Sequence, residues 1–405
     1  MILVFNSGSS SLKFGCFDAE TAAVLATGVI GWSDGEPGAV VRDGNGAELL
    51  RRAASAGDCG KAVEQSLRAL RDVGVVREDG AGGIRAVGHR VVHGGTRFRA
   101  SVLVDTNAKE GIEALSVLAP MHNPQAIEVM NAVEASLGRT LQVAVFDTAF
   151  FAGLPARSHV YPLPYSWYAD WGIRRFGFHG ISHEYCSRRV AELSPAERNA
   201  NLVICHLGNG CSASAVRDGR PVATTMGFTP LEGLMMGTRA GSVDPGILLH
   251  VQRHGGLGPS GILEALNEES GLLGVSGVSR DYREVERAAI EGGERARLAL
   301  DLYADRVRSA IGALAVTLGA VDALVFTGGV GENSASLRAA ACDGLQCLDI
   351  HLDPEKNGAS GEDREISARR SRAKIWIIRA QEELMIARET RRVLGEREGP
   401  GGART

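Results

Sequence analysis

The side chains best suited to chemistry in this sequence are arginines, histidines and carboxylates that stand beside glycines or at the ends of apolar runs. Arg90 follows His89 and precedes Val91-Val92-His93-Gly94-Gly95. His122 sits just before Asn123-Pro124, and Asp147 closes the apolar run 143–146. His179 and His183 lie in FGFHGISH, and Arg239 follows Gly237-Thr238, with Asp244-Pro245 shortly after. Singly, each has a plain reading: His89 and His183 as structural imidazoles, an arginine as a solvated charge. Their shared placement at strand ends and in glycine-flanked loops is where binding and catalysis concentrate. The arginine fork can donate two parallel hydrogen bonds to a planar carboxylate.

Three loops rich in small residues complete the chemical inventory. Asn6-Ser-Gly-Ser-Ser-Ser11 joins two apolar runs, 2–5 and 12–17, and Gly208-Asn-Gly-Cys-Ser212 joins two more, 202–207 and 213–216. The third, Gly328-Gly-Val-Gly-Glu-Asn-Ser334, follows the apolar run 323–327 and precedes a helix-compatible stretch. Backbone N–H groups in such loops and at helix starts can face an anion. No P-loop is present: Gly60-Lys61 is followed by Ala62. The third loop only approaches GxGxxG, a weak signal alone. Zinc has little support, with no HExxH and dispersed cysteines, and a GxSxG nucleophile elbow is absent.

The elements that must position these groups follow from periodicity. The two strand–loop–strand units, one opening each half, suggest a duplication. Asn123-Pro124 reads as an N-cap and first helical residue, with Ile127, Met130 and Val133 on one face. Glu382 to Leu394 reads as a closing amphipathic helix, and the residues from 395 on as a frayed end. Residues 31–48 and 355–372 are polar and glycine-rich, which reads as surface excursions. The longest apolar stretch, 310–321, is too short to span a membrane and reads as a buried helix.

Composition sets the class. The 405 residues are 44% hydrophobic and 23% charged, with net charge -4. That is the balance of a globular protein with a real core and no general attraction to nucleic acid or to a membrane. Lysine is rare (13, 61, 109, 356, 374), so Lys13 beside the first loop stands out as a counter-charge for phosphate. Seven cysteines without a CxxC pair and the lack of a signal-like N-terminus imply a reduced, cytoplasmic protein.

Ten segments together resemble the acetate kinases, the acetokinase family: VFNSGSSSLKF (4–14), VGHRVVHGG (87–95), APMHNP (119–124), VFDTAF (145–150), RRFGFHGISH (174–183), HLGNGCS (206–212), MGTRAG (236–241), SRDYRE (279–284), FTGGVGENS (326–334) and EELMIAR (382–388). The resemblance implies an α/β fold of two duplicated actin-like (ribonuclease H-like) lobes with a nucleotide cleft between them, as in sugar kinases, heat-shock 70 chaperones and actin. The implied first lobe is 1–150, completed by a helix 384–398. The second is 151–383, carrying nucleotide binding and a two-fold dimer contact, and 399–405 is a tail. The implied reaction is reversible, magnesium-dependent transfer of phosphoryl from ATP to acetate, giving acetyl phosphate and ADP, with manganese able to substitute.

Carried over position by position, Arg90 would hold the substrate carboxylate, and Asp147, His179, Arg239 and His122 would serve catalysis. Val92, Met121, Phe178 and Pro230 would wall the acyl pocket. Lys13, His206, Leu207, Gly208, Asn209, Gly210, Asp281, Tyr282, Arg283, Gly329, Val330, Gly331, Glu332 and Asn333 would bind nucleotide. Asn6 and Glu382 would position the metal. Because a carboxylic acid with a pKa of about 4 is already ionised at neutral pH, no general base is needed. Asp147 is therefore expected to orient the site or ligate magnesium, not to take a proton. Departures from the family pattern are Ala240-Gly241-Ser242 for Ser-Gly-Asp, Ala380-Gln381 for Thr-Asn, and Met121 for Leu. Propionate or butyrate as acceptor, pyrophosphate as donor, and a non-kinase nucleotide-gated binding protein on the same fold remain open at this point.

Overall fold

The computed structural model describes residues 1–8, 11–32, 38–53, 57–77 and 83–398. Ser9 and Ser10 of the first loop and the expected tail 399–405 lie outside the described residues. The chain divides into two compact units, Met1–Ala152 with the chain from Gln381 onward, and Gly153–Ala380.

In the first unit an eight-stranded sheet is built from β1 (Ile2–Ser7), β2 (Ser11–Phe17), β3 (Val24–Gly31), β4 (Ala39–Asp43), β5 (Glu48–Arg52), β6 (Ala86–Val91), β7 (Val102–Leu103) and β8 (Leu141–Phe146), in the order β5-β4-β3-β2-β1-β6-β8-β7. Strands β1 to β5 form an antiparallel meander, whereas β1, β6 and β8 run parallel. In the second unit β9 (Asn201–Leu207), β10 (Cys211–Arg217), β11 (Arg220–Thr224), β12 (Ala323–Thr327), β13 (Arg364–Glu365) and β14 (Lys374–Ile377) are ordered β11-β10-β9-β12-β14-β13. The centre repeats: two antiparallel neighbours on one side of β9 and two parallel ones on the other match β1 and its neighbours. The duplication read from two hairpin loops is thus present as strand order.

The parallel strands are largely apolar because both faces are covered; Ile2, Leu3 and Val4 are fully buried, as are Ala323, Leu324, Val325 and Phe326. The helix Cys59–Asp72 packs one side of the first sheet together with the helix Asn123–Leu137. Asp58 caps the former by accepting from the Lys61 N–H. The closing helix, Glu382–Glu398, lies against β1, β6 and β8 with Met385, Ile386, Ala387 and Thr390 fully buried. It can lie this close because β6 carries Gly88: a Cβ there would come within 2.3 Å of Thr390 Oγ1 and 2.8 Å of Ile386 Cγ2.

Several sequence expectations change. The stretch 31–48 is not all surface excursion: β4 lies in it, with Ala39, Val40 and Val41 buried. Its consecutive β-branched valines, Val40 and Val41, outweigh the flanking glycines. Within 355–372, helix Pro354–Gly358 and strand β13 form. The final helix starts at Glu382 and continues past Leu394 to Glu398. The apolar stretch 310–321 ends the helix Glu294–Leu318, which stops at left-handed Gly319; Ile311 is fully buried but Val316 is 77% exposed. Among the described residues no helix is long and apolar enough to cross a membrane.

Two outcomes follow from this packing. Gly88→Val should destabilise the first unit by about 1–3 kcal/mol through overpacking, measured as a lower midpoint of urea unfolding. Buried His89 in β6 has no hydrogen-bond partner for either ring nitrogen among the described residues, and burial pushes its imidazole down to about 3. Below pH 6.5 the unfolded imidazole binds a proton that the folded one does not. Stability should therefore fall with falling pH, by up to about 1.4 kcal/mol per pH unit from this group. Unfolding of His89→Asn from pH 7 to pH 5 should show a flatter profile.

Candidate active site

In the first unit, Asn6, Arg90 and Asp147 stand at the carboxyl ends of β1, β6 and β8, three neighbouring parallel strands. Ligand sites of open α/β sheets form at such strand ends. Parallel register sets Arg90 opposite Val145, so Asp147 comes just beyond it, its N–H donating to Val91 O at 2.9 Å. Arg90 Nε and Nη2 both donate to Asp147 Oδ2, at 2.9 and 2.6 Å, and Nη1 donates to Asn6 Oδ1 at 3.3 Å. Asn6 Nδ2 in turn donates to Glu382 Oε2 and Glu383 Oε1, both at 3.0 Å. These two glutamates open the closing helix. Burial opposes the Arg90 charge, but the carboxylates of Asp147, Glu382 and Glu383 outweigh it and hold the guanidinium ionised. Through Oδ2, Asp147 fixes the orientation of the Arg90 guanidinium.

The glycine-rich loop after β6 is fixed by Asn123. Its side chain accepts from the His93 N–H at 3.1 Å and donates to His93 O at 3.1 Å and Ile112 O at 3.3 Å. Asn123 is thus not the N-cap expected from sequence: His122 occupies that position, without a side-chain capping bond. Val92 is buried, whereas Met121 is 60% exposed. Lys13 is exposed on β2, directly across from Asn6 in the β1–β2 register.

In the second unit, His179 and Arg239 converge on Gly210. A Cβ on Gly210 would lie 2.7 Å from Arg239 Nη2 and 3.1 Å from His179 Nε2, so only glycine leaves the space both groups use. His179 has left-handed backbone (φ 57) at the N-cap of the helix Gly180–Leu193. Its ring stacks on His206, with centroids 4.4 Å apart, and its Nδ1 is 2.9 Å from Ser212 Oγ. Arg239 Nη1 donates to Pro230 O at 2.7 Å. The loop carrying Pro230 is braced by Glu232, which accepts from Tyr161 Oη and, at 2.6 Å, from Arg175 Nη2. Where the family pattern has an acid, Ser242 Oγ accepts from the Gly233 N–H at 3.1 Å. That hydroxyl ties the segment after Arg239 back to the Pro230 loop. Phe178 is buried in this unit.

The residues assigned to nucleotide also fall in the second unit, apart from Lys13. His206 and Leu207 end β9; Gly208, Asn209 and Gly210 form its turn, and Asn209 lies over the bare Cα of Gly237. Asp281 caps the helix Tyr282–Ile290, accepting from the Arg283 N–H at 2.9 Å; the Arg283 side chain holds its carboxylate below the usual range. The third glycine loop is a correction. Gly328–Asn333 is helical directly after β12, with a second helix from Ala335. Glu332 Oε1 accepts from the Gly328 and Ala380 N–H groups, both at 2.9 Å, so the leading amide is already engaged. Burial pushes the Glu332 carboxyl upward. Asn333 Nδ2 donates to Gly329 O at 2.8 Å; Gly329 is exposed, whereas Gly331 is buried.

The divalent ion implied by the resemblance can be weighed against the donors present. Glu382 and Glu383 aim one carboxylate oxygen each at the same amide, an all-oxygen arrangement suited to magnesium or manganese. Among the described residues no three His, Cys, Asp or Glu groups gather tightly enough to hold an ion alone. Magnesium commonly uses one or two carboxylates and completes its shell with water and substrate phosphates. Asn6 and Glu382 fit that pattern. HxxxH spacing does occur, at His89/His93, His179/His183 and His250/His254, but the middle pair binds serine Ser212 through both rings. Sequence reasoning missed Glu383, Asn123, Glu232 and Ser212. Only Glu383, beside Glu382, and Ser212, inside HLGNGCS, had a local signal.

Comparison with known proteins identifies the family. A model of the acetokinase family matches residues 1–388. The acetate kinase of Cyanothece sp. is 45% identical over 400 residues, covering 96% of this chain and 97% of the relative. That of Clostridium botulinum strain 657 is 45% identical over 395 residues, covering 97% and 99%. Among solved structures, the acetate kinase of Porphyromonas gingivalis superposes with TM-score 0.86 at 40% identity, covering 97% of this chain and 99% of the other. A propionate kinase from Francisella tularensis gives 0.85 at 38%, covering 96% and 98%. Sequence and structure thus agree across both units: the chain is a kinase of the acetokinase family.

Proposed function

We propose that this kinase is an acetate kinase, moving the γ-phosphoryl group of ATP to acetate and back. The observation that carries the reading is that each unit holds a cationic group in place through its own residues: Arg90 on Asp147 in the first, and Arg239 on Pro230 O, beside His179, in the second. In the forward direction an ionised acetate oxygen forms the new bond to γ-phosphorus. The bond from phosphorus to the β–γ bridging oxygen breaks, and its electrons leave on ADP. Arg90 positions the acetate carboxylate, with Asp147 fixing the guanidinium. Arg239 and the His179 Nε2 side donate to the equatorial oxygens, where charge is spread in the transition state. Val92, Met121, Phe178 and Pro230 wall the acyl methyl, and His122 acts near the transferring group. Lys13, the segment 206–210, 281–283 and 329–333 hold the nucleotide. A magnesium ion at Asn6 and Glu382, when bound, neutralises phosphate charge.

Acyl-hydroxamate formation from ATP, magnesium and acetate tests the reading, and absence of product from folded protein overturns it. Arg239→Ala should lower kcat by about 100- to 1,000-fold while nucleotide affinity changes only a few-fold. Arg90→Ala should chiefly raise the KM for acetate. The similarity to a propionate kinase supports one alternative acceptor. One methylene discriminates by only about 1–3 kcal/mol, so kcat/KM on acetate, propionate and butyrate decides, with acetate expected highest.

The protein acts in the cytoplasm on this reading, as a homodimer joined through the second unit. Tyr165, Trp171, Ile247, Leu249 and Leu263 there are exposed apolar side chains, each more than half solvent-accessible, of the kind a partner copy covers. Sedimentation should give twice the chain mass, and Trp171→Glu with Ile247→Glu should return the monomer.

A further inference from the structure

We propose that Ser212 is a positioning residue that sets the tautomer of His179, through a hydroxyl–imidazole chain running Ser214, His183, Ser212, His179. The proposal deepens the reading above and rests on the role given there to His179.

Two periodicities meet at this point. Ser212 and Ser214 alternate on one face of β10, and His179 and His183 are one helical turn apart. Both serines and His183 are fully buried. Ser214 Oγ is 2.8 Å from His183 Nδ1, Ser212 Oγ is 2.7 Å from His183 Nε2, and Ser212 Oγ is 2.9 Å from His179 Nδ1. One hydroxyl thus bridges two imidazoles. It has one proton, so it donates to one ring and accepts from the other.

Burial, with a further push from His206, holds His183 neutral, its pKa well below the ordinary value. A neutral ring has one N–H and one lone pair. With Ser214 donating to His183 Nδ1, the His183 proton is on Nε2 and is donated to Ser212. Ser212 must then donate to His179 Nδ1, which leaves the His179 hydrogen on Nε2, the atom beside Gly210 and Arg239. In the reverse direction His179 Nδ1 carries the proton, and Nε2 bears hydrogen only if the ring becomes a cation next to the Arg239 guanidinium. Like-charge proximity disfavours that state. The chain therefore presents an uncharged N–H donor to the transferring phosphoryl group.

Nitrogen-15 spectra of histidine-labelled protein and steady-state kinetics on four variants test this. Wild type should show His179 protonated on Nε2. Ser212→Ala should mix the tautomers and lower kcat by about 10- to 100-fold, the scale of a small misplacement at a reacting centre, with both KM values within about 3-fold. Ser212→Thr, which keeps the hydroxyl, should restore kcat to within about 3-fold. His179→Ala with Ser212→Ala should be no slower than His179→Ala alone, since the two act as a unit. Should Ser212→Ala not fold, Ser214→Ala still must shift the His179 signal without touching that ring. An unchanged His179 signal in Ser212→Ala or in Ser214→Ala, or wild-type kcat in Ser212→Ala, overturns the proposal. Wild-type kcat in His179→Ala would instead overturn the role of His179 itself.

Discussion

The arrangement depends first on the pairing of Arg90 with Asp147. Two charges this deep give little net stability, because desolvation offsets most of their attraction. Removing either one alone leaves the other stranded, at a cost of several kcal/mol. What the pair provides is orientation. Asp147 Oδ2 takes the Nε and Nη2 hydrogens together, which fixes the plane of the guanidinium. Asn6 then links that plane to the two glutamates that begin the closing helix. Strand register supplies the geometry: three parallel strands end side by side, and each delivers one polar group at its last turn of alternation.

The second sheet repeats the strand order but loads it differently. Its strand ends carry hydroxyls, imidazoles and glycines, and the positive charge arrives on a loop, at Arg239. Carbonyl and hydroxyl partners hold that loop: Pro230 O for the guanidinium and Ser242 for the segment behind it. The sequence departure after Arg239 therefore exchanges an acid for a hydroxyl that still ties the segment to its neighbour.

Much of this was legible from residue order, for identifiable reasons. Apolar runs flanking small-residue loops gave β1, β2, β9 and β10, since buried strands of this kind leave continuous hydrophobic signatures. The charged groups could be picked out because strand ends and glycines frame them. What stayed hidden depends on long-range contact. Asn123 looked like a cap because Asn before Pro is a common helix start; only the folded loop shows it clamping His93. The glycines of 328–331 suggested an open anion loop, yet Glu332 reaches back to cap that segment as helix. Strand β4 was masked by glycines on both sides, and Glu232 has no neighbour in sequence that hints at Tyr161 or Arg175. Asn123 with His93, and Glu232 with Tyr161 and Arg175, join residues far apart along the chain, which periodicity cannot register.

The first unit is assembled from both ends of the polypeptide, the second from one unbroken stretch. During synthesis the sheet holding Arg90 and Asp147 leaves the ribosome before the helix with Met385, Ile386 and Ala387 that covers it. The whole of the second unit is made in between, and it can finish folding on its own. Until then the nascent first sheet has a bare apolar face and lacks Glu382 and Glu383. A chain released before this helix is made thus has one finished unit and one with an uncovered apolar sheet face, a natural client for chaperones.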